Sequence, residues 1–253
     1  MRVTAYHTPL VRTGENLENL LRTSLPPLRE KMVVAVASKI VSTSEGRFVP
    51  KVTGEKTEKH QLVLDEAEWY LDPELSAYNM LLTRKGNWFF VNAGIDESNA
   101  DNQYILWPED LQRSVNNIWN FLRSEYNLNE VGVILTDSAS MPLNWGVTGH
   151  GIAHCGFQVL KSYIRKPDLF GREMKMEQVN MLQSMAAAAV LEMGEGAEQT
   201  PLVVLDHVRD LVFEDHEPTA AELRALHISM TEDFYAPIIN VAPWKKGGSY
   251  GEK

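Results

Sequence analysis

The chain contains a single cysteine and no long apolar run. Cys155 cannot form an intrachain disulfide, and one thiol excludes a zinc site built on several cysteines. No stretch of about eighteen apolar residues occurs, and the N-terminus lacks a basic segment followed by an apolar core, so we expect neither a membrane span nor a secretory signal. These absences predict a cytoplasmic protein.

Basic residues are also scarce. The 24 lysines and arginines are outnumbered by 34 acids, which gives a formal net charge of −10. Because such a surface repels the phosphates of nucleic acids and of anionic membranes, we expect neither as a partner. A nucleotide remains an accessible ligand, provided that metal ions and backbone amides hold its phosphates.

Several catalytic signatures are absent. The sequence has no P-loop motif and no serine-hydrolase elbow. The glycines of residues 146–151 lack the complete dinucleotide fingerprint, and we interpret them as positions of close backbone packing. His150 and His154 have the spacing of a helical zinc site, but the neighbouring glycines disfavour a helix, so packed or surface histidines are the preferred interpretation.

Apolar periodicity predicts alternating helices and strands, and therefore a mixed α/β architecture. Thr13 is the predicted N-cap of the first helix. Helices are predicted over residues 13–25, in the charged stretch 55–82, and over 108–126 and 179–193. Strands are predicted over residues 32–37, 88–91, 131–135 and 201–205. No linker separates domains, so we expect one domain over residues 1–245 and a mobile tail over 246–253.

Three acids stand where an apolar run breaks into small, turn-forming residues: Asp96, Asp137 and Glu195. Taken alone, each is more typical of a turn or a helix cap. Together they indicate a divalent metal, because a carboxylate at a strand end directs a hard oxygen ligand from a rigid sheet edge. Other polar loops at strand ends, residues 9–12, 38–39 and 194–200, predict a ligand site there.

The chain resembles the coenzyme F420-0:L-glutamate ligase family along almost its whole length. The resemblance is carried by VAVASKIVSTSEGR (34–47), VNAGIDESN (91–99), VGVILTDS (131–138), residues 146–157, KPDLFGRE (166–173) and MGEGAEQTPLVV (193–204). It implies an unusual α/β fold with two intimately joined subdomains, an intertwined homodimer, and a cleft between the subdomains that binds GTP and two divalent ions.

The resemblance also implies roles for individual residues. Asp96 and Asp137 match the ligands of a first Mg²⁺ or Mn²⁺, and Ser138 and Glu195 match positions that serve a second. Nucleotide-contacting positions are matched by Pro9, Leu10, Val11, Ser38, Lys39, Asn99, Met193, Gly194, Gly196, Ala197, Glu198, Gln199 and Thr200. GTP or ATP is the implied co-substrate, and potassium is a further candidate ion.

The implied reaction transfers the γ-phosphoryl group to an acceptor carboxylate, after which the amine of L-glutamate displaces phosphate. No residue is assigned as a general base. The sequence departs from the family where Thr43 replaces an expected lysine and where residues 138–146 lack the expected arginines. Because arginine binds phosphate bidentately, these losses predict altered acceptor recognition. F420-0 and a folate-like acceptor both stay open, the latter through a bacterial branch proposed to act in folate metabolism.

Two other functions fit the same residues. A metal-dependent phosphohydrolase would use the acidic loops to activate water. A nucleotide-binding protein without turnover would keep the fold and the cleft after losing the chemistry.

Overall fold

The computed structural model describes residues 1–248. Helices and strands are interspersed along the chain. Their order is β1 (Arg2–Tyr6), α1 (Leu17–Ser24), β2 (Met32–Ala37), α2 (Ser38–Ser44), β3 (Phe48–Pro50), α3 (Lys56–Glu66), β4 (Trp69–Tyr70), β5 (Leu82–Lys85), β6 (Trp88–Val91), β7 (Gln103–Ile105), α4 (Leu111–Tyr126), β8 (Val131–Ser140), β9 (Val147–Cys155), β10 (Leu160–Ser162), β11 (Gln178–Asn180), α5 (Met181–Met193), β12 (Leu202–Asp206), α6 (Ala220–Ala225), α7 (Ala236–Ile239) and β13 (Lys245–Lys246). The predicted mixed α/β class is confirmed.

A five-stranded sheet in the order β1-β12-β2-β8-β9 forms the centre. β2 and β8 run parallel, and the other neighbours are antiparallel. β2 is apolar along its length because both faces are covered. Val34 and Val36 pack in the core that α1 and α4 share, whereas Val33 and Ala35 pack against α5. Because β2 and β8 are parallel, their carboxyl ends lie at the same edge of the sheet.

The glycines of β9 allow α5 to lie directly on the sheet. A Cβ added at Gly149 would overlap Val190, and one at Gly151 would overlap Leu182, so the predicted close packing is confirmed for these two glycines. The prediction was wrong for Gly146, where no described residue beyond its chain neighbours lies within 4 Å of an added Cβ. The same segment is a strand rather than a helix, as its glycines indicated. His150 and His154 therefore do not share a helical face.

A smaller, four-stranded sheet in the order β13-β4-β5-β6 stands beside the central one. An ion cluster links it to the core: the buried Lys85 Nζ donates to Glu66 at 2.6 Å, and Arg47 donates to the same carboxylate at 2.9 Å. A separate apolar cluster, with Val63 of α3 and Tyr104 of β7 among its members, supports this part of the chain.

All four helix predictions needed correction at one end or more. The first helix has Asn16 as its N-cap rather than Thr13, because the Asn16 carboxamide accepts from the Asn19 amide at 2.8 Å. The stretch 55–82 is α-helical only over Lys56–Glu66. Beyond it, the aromatic pair of β4 joins the smaller sheet, and a short 3-10 turn covers Pro73–Leu75. The helix predicted over residues 108–126 begins at Leu111, after an Asp110 N-cap. The helix predicted from residue 179 begins at 181, since residues 178–180 form β11.

The end of the described chain is paired rather than loose. β13 aligns Lys245 with Tyr70, and the Gly248 amide donates to Leu64 O at 2.6 Å. The remainder of the predicted mobile tail, residues 249–253, lies outside the described residues. Within residues 1–248, no helix has the length and apolarity needed to cross a bilayer. The structure is that of a single chain, and the homodimer stays a prediction.

The burial of His154 predicts that acid destabilises the folded protein. Its side chain is buried in β9, and this burial lowers its pKa to about 4, with His227 adding to the shift and Glu222 opposing it. The unfolded chain has an imidazole pKa of about 6.5, so between these two values it binds a proton that the folded chain does not. We expect the free energy of unfolding to fall by roughly 1 kcal/mol per pH unit as pH drops through this window.

Urea unfolding at a series of pH values measures this dependence. His154→Leu should flatten the slope between pH 6.5 and 4, whereas the exposed His7, changed to leucine as a control, should leave it unaltered. Equal slopes in wild type and His154→Leu would contradict the assignment.

Candidate functional site

One cleft collects every residue predicted for the site. It opens at the shared edge where β2 and β8 end, and it has a volume of about 290 Å³, at the lower end of the range for ligand pockets. Its predicted lining residues are Pro9, Leu10, Val11, Ser38, Lys39, Asp96, Asn99, Asp137, Ser138, Met193, Gly194, Glu195, Gly196, Ala197, Glu198, Gln199 and Thr200. Segments distant in sequence meet here because α2, the loop after β6, β8 and the loop after α5 converge on one sheet edge.

Asp96 is presented by a left-handed turn. Asn92, Ala93 and Gly94 follow β6 with φ values of 55°, 53° and 73°, and they redirect the chain toward the cleft. A positive φ strains the backbone of a residue that carries a Cβ, such as Ala93. Strain of this kind is concentrated at functional sites. Asp96 Oδ1 then accepts from the Ser98 amide at 2.8 Å, which orients the carboxylate.

Lys39 is the nearest cation to Asp96. Its Nζ lies 2.6 Å from Asp96 Oδ2 and donates to Ser98 O at 2.9 Å. Burial works to raise the pKa of Asp96, but Lys39, together with hydrogen bonds from Ser98, outweighs burial and lowers it. Asp96 is therefore a carboxylate at neutral pH.

Asp137 lies deeper, on β8. Burial raises its pKa to about 6, and the negative charge of Asp96 adds to this shift. Two hydrogen bonds oppose the shift: Trp107 Nε1 donates to Asp137 Oδ2 at 2.5 Å, and the Ser138 amide donates to Oδ1 at 2.8 Å. Both oxygens of Asp137 thus accept hydrogen bonds from groups that are fixed in the fold, a buried indole and a backbone amide. The carboxylate therefore has a fixed orientation.

The loop after α5 brings the third acid. Gly194 ends the helix with a φ of 76°, a conformation that glycine adopts without strain. Ser138 Oγ donates to Glu195 Oε2 at 3.2 Å, which joins this loop to β8. Asn99 donates to Gly196 O at 2.8 Å, which joins it to the loop that carries Asp96. The loop after α5 therefore contacts both of the other acidic loops.

The donor set suits a hard divalent cation. Asp96, Asp137, Ser138 and Glu195 all offer oxygen, as Mg²⁺ and Mn²⁺ prefer. Across residues 1–248, no three His, Cys, Asp or Glu side chains converge closely enough to form a ready metal site. Lys39 instead supplies the positive charge at Asp96. A divalent cation would have to take over the charge neutralisation that this lysine provides.

Two features of the site were not foreseen from the sequence. The ion pair of Lys39 with Asp96 joins residues 57 positions apart, and nothing in either segment signals it. Trp107 follows an apolar run and is typical of a core aromatic residue; only its buried N–H, which needs an acceptor, hints at a polar partner. Thr43, found where a lysine was expected, lines the cleft and donates to Lys39 O at 2.8 Å.

An apolar hairpin tip continues from the strand that carries Asp137. Residues 141–146 connect β8 to β9 and contain no basic residue. Leu143 is fully exposed, and Trp145 is 91% exposed. Tyr78 meets Trp145 edge to face, with ring centroids 6.4 Å apart. The tip therefore offers an exposed aromatic surface at the far end of the strand that carries Asp137.

Comparison with known proteins identifies relatives over most of the chain. The model of the family described as F420-0:Gamma-glutamyl ligase matches residues 6–207. A protein of Methanopyrus kandleri named coenzyme F420:L-glutamate ligase is 32% identical over 240 residues, covering 89% of this chain and 93% of its own length. Proteins with the same name from Methanococcus maripaludis and Archaeoglobus fulgidus are 30% and 31% identical, covering 81% and 78% of this chain and 87% and 83% of their own lengths.

Proposed function

The chain belongs to the F420-0:gamma-glutamyl ligase family, and from that premise we propose that it is a nucleotide- and divalent-metal-dependent ligase that joins L-glutamate to an acceptor carboxylate. The observation that carries the proposal is the single cleft lined by all three acidic loops and by the segments matched to nucleotide contacts. Phosphoryl transfer requires this combination of positioned oxygen ligands and a nucleotide site.

The proposed reaction has two steps. An oxygen of the acceptor carboxylate attacks the γ-phosphorus of GTP or ATP, the bond to the bridging oxygen breaks, and the nucleoside diphosphate leaves. The amine of L-glutamate then attacks the acyl carbon of the resulting acyl phosphate, the C–O bond breaks, and inorganic phosphate leaves while the amine gives up a proton. The first step makes the carboxylate oxygen a leaving group, which an amine cannot otherwise displace.

The residues of the cleft divide this work. Asp96, Asp137, Ser138 and Glu195 would hold two divalent ions, which when bound neutralise charge on the transferring phosphoryl group. Lys39 is placed to exchange its contact with Asp96 for a phosphate oxygen. The loop of residues 193–200, tied to Asn99 and Thr8, forms a wall against which a nucleotide can be oriented. Asp96 and Asp137 serve as ligands in this proposal rather than as bases.

We propose that the acceptor is F420-0 or a folate-like molecule, bound through its ring system by the hairpin tip. Each candidate has a planar heteroaromatic ring, and Trp145 provides an exposed aromatic face on the hairpin whose first strand carries Asp137. The arginine-free loop favours an acceptor with few phosphates, because it offers no bidentate partner for them. The absence of arginine therefore favours the folate-like candidate over F420-0.

The ligase activity is tested by measuring phosphate release with purified protein, GTP or ATP, Mg²⁺, L-glutamate and each acceptor. We expect release that requires both the acceptor and L-glutamate, and mass spectrometry should detect an acceptor heavier by one glutamyl residue. Phosphate release that persists without acceptor and glutamate would replace this proposal with a phosphohydrolase. Nucleotide binding without any product would replace it with a binding protein that lacks turnover.

A further inference from the structure

Trp107 links the apolar core to the candidate site, because its buried indole donates a hydrogen bond to Asp137. Its indole is 2% exposed, and Nε1 donates to Asp137 Oδ2 at 2.5 Å. An indole N–H can donate a hydrogen bond but cannot accept one, and it does not bind metal ions. Trp107 therefore acts on the site through this hydrogen bond, which fixes where the Asp137 carboxylate points.

Three contacts hold Trp107, two to its indole ring and one to its backbone. Phe90 packs against it edge to face at 4.8 Å between centroids. Gly94, in the turn that presents Asp96, lies so close that an added Cβ would overlap the indole. Arg47 Nε donates to the Trp107 carbonyl oxygen at 3.0 Å. A ring confined in this way has one available position.

The ion cluster of the smaller sheet completes this support. Arg47 also donates to Glu66, whose other oxygen accepts from the buried Lys85, and Lys85 Nζ lies 5.4 Å from the centroid of the Trp107 ring. The cluster thus contacts both the backbone and the ring of the same tryptophan. Burial of these charged side chains costs free energy, so stabilisation of the fold alone does not account for the cluster. Positioning Trp107 gives the cluster a further role.

The hydrogen bonds leave Asp137 with a defined set of free lone pairs. The Ser138 amide occupies one lone pair of Oδ1, and Trp107 occupies one of Oδ2. A carboxylate has about four acceptor positions, so roughly two remain, and the side chain lines the cleft. Groups that orient a metal-binding carboxylate typically contribute about 10- to 100-fold to metal affinity.

We propose that Trp107 is a positioning residue, which orients Asp137 for divalent metal binding through its indole N–H and is held in place by the buried Arg47–Glu66–Lys85 cluster. This inference rests on the proposed function, because it takes Asp137 to be a metal ligand. It predicts that loss of the N–H weakens metal binding even where the ring volume is kept.

The test compares two matched variants. Trp107→Phe removes the N–H from the positioning indole. Trp119→Phe removes an equally buried indole N–H, which donates to Val131 O at 2.8 Å in the same core; neither Trp119 nor Val131 lines the cleft. Mn²⁺ affinity is measured by titration calorimetry, and thermal unfolding is followed in parallel. We expect Mn²⁺ binding to weaken about 10- to 100-fold in Trp107→Phe and to change less than about twofold in Trp119→Phe, with similar losses of Tm.

The outcomes separate this inference from the function on which it rests. If wild type binds Mn²⁺ and Trp107→Phe binds it equally well, the positioning role is overturned and the ligase proposal stands. If both phenylalanine variants lose affinity equally, the effect is one of general destabilisation, and the positioning role is again overturned. If wild type binds no Mn²⁺, the metal site of the proposed function fails, and the inference fails with it.

A second measurement covers the case in which Trp107→Phe does not fold. The chain has six tryptophans, so ¹⁵N-tryptophan labelling of wild type gives up to six indole N–H signals. Saturating Mg²⁺ should shift one of them strongly, since the Trp107 N–H contacts the ligand carboxylate. Metal binding by calorimetry with every indole signal unmoved would overturn the proposal.

Discussion

Asp137→Asn should abolish the metal-dependent activity and leave the protein folded. The amide keeps the shape of the side chain but removes the charge that attracts a divalent cation. Substitutions in groups that only orient a ligand already cost about 10- to 100-fold in metal affinity, so removing a ligand charge should weaken Mn²⁺ binding by at least about 100-fold. Calorimetry with Mn²⁺ and glutamate-dependent phosphate release are the two measurements.

The effect of this substitution on stability is expected to be small because two terms oppose each other. Burial disfavours the Asp137 carboxylate and raises its pKa to about 6, so a neutral amide relieves that cost. An amide has only one oxygen, however, and either the Trp107 N–H or the Ser138 amide then loses its acceptor, at about 1 to 3 kcal/mol.

Asp110→Asn is the matched control. It removes the same charge at the exposed N-cap of α4, where asparagine caps as well as aspartate. Activity and Mn²⁺ affinity should stay at wild-type values in this variant. Wild-type Mn²⁺ affinity in Asp137→Asn would remove Asp137 from the metal site and with it the main support for phosphoryl transfer.

Elements with a strong local signal were predictable from sequence. β2 and β6 have the predicted bounds, since short runs of apolar, β-branched or aromatic residues between turn signals are typical of strands. The stretch 55–82 was wrong beyond Glu66 because its second half takes its structure from partners elsewhere in the chain. β4 exists only through pairing with β5 and β13, and no local pattern encodes that pairing.

The candidate site, like the fold, was predictable from the sequence only in part. The acids stand in recognisable loops, and the resemblance to a family grouped them before their proximity could be seen. The contacts that set their chemistry are long-range: Lys39 with Asp96, Trp107 with Asp137, and Ser138 with Glu195. A hydrogen bond between residues 30 positions apart leaves no trace in either segment. The sequence therefore indicated which residues line the cleft. It did not indicate which side chains form ion pairs, which carboxylate has a raised pKa, or which carboxylate is held in one orientation.

Trp145→Ala should weaken acceptor binding while leaving nucleotide binding intact. Stacking of a heteroaromatic ring on an aromatic side chain contributes about 1 to 3 kcal/mol. Losing about 2 kcal/mol corresponds to roughly a thirtyfold increase in the acceptor KM, since about 1.4 kcal/mol is tenfold. Because Trp145 is exposed at a hairpin tip, its removal should leave the Tm within a few degrees of wild type.

Two further variants separate stacking from general apolar contact at the tip. Trp145→Phe retains a ring and should recover most of the acceptor affinity, whereas Leu143→Ala truncates a fully exposed neighbour in the same loop and should change it little. The acceptor series is run with F420-0 and a folate in parallel. If the tip selects by its ring surface and its lack of arginine, the folate should give the higher kcat/KM, and Trp145→Ala should reduce it for both acceptors. A tip that plays no part in recognition would leave the acceptor KM of all three variants unchanged, and acceptor choice would then have to come from the cleft itself.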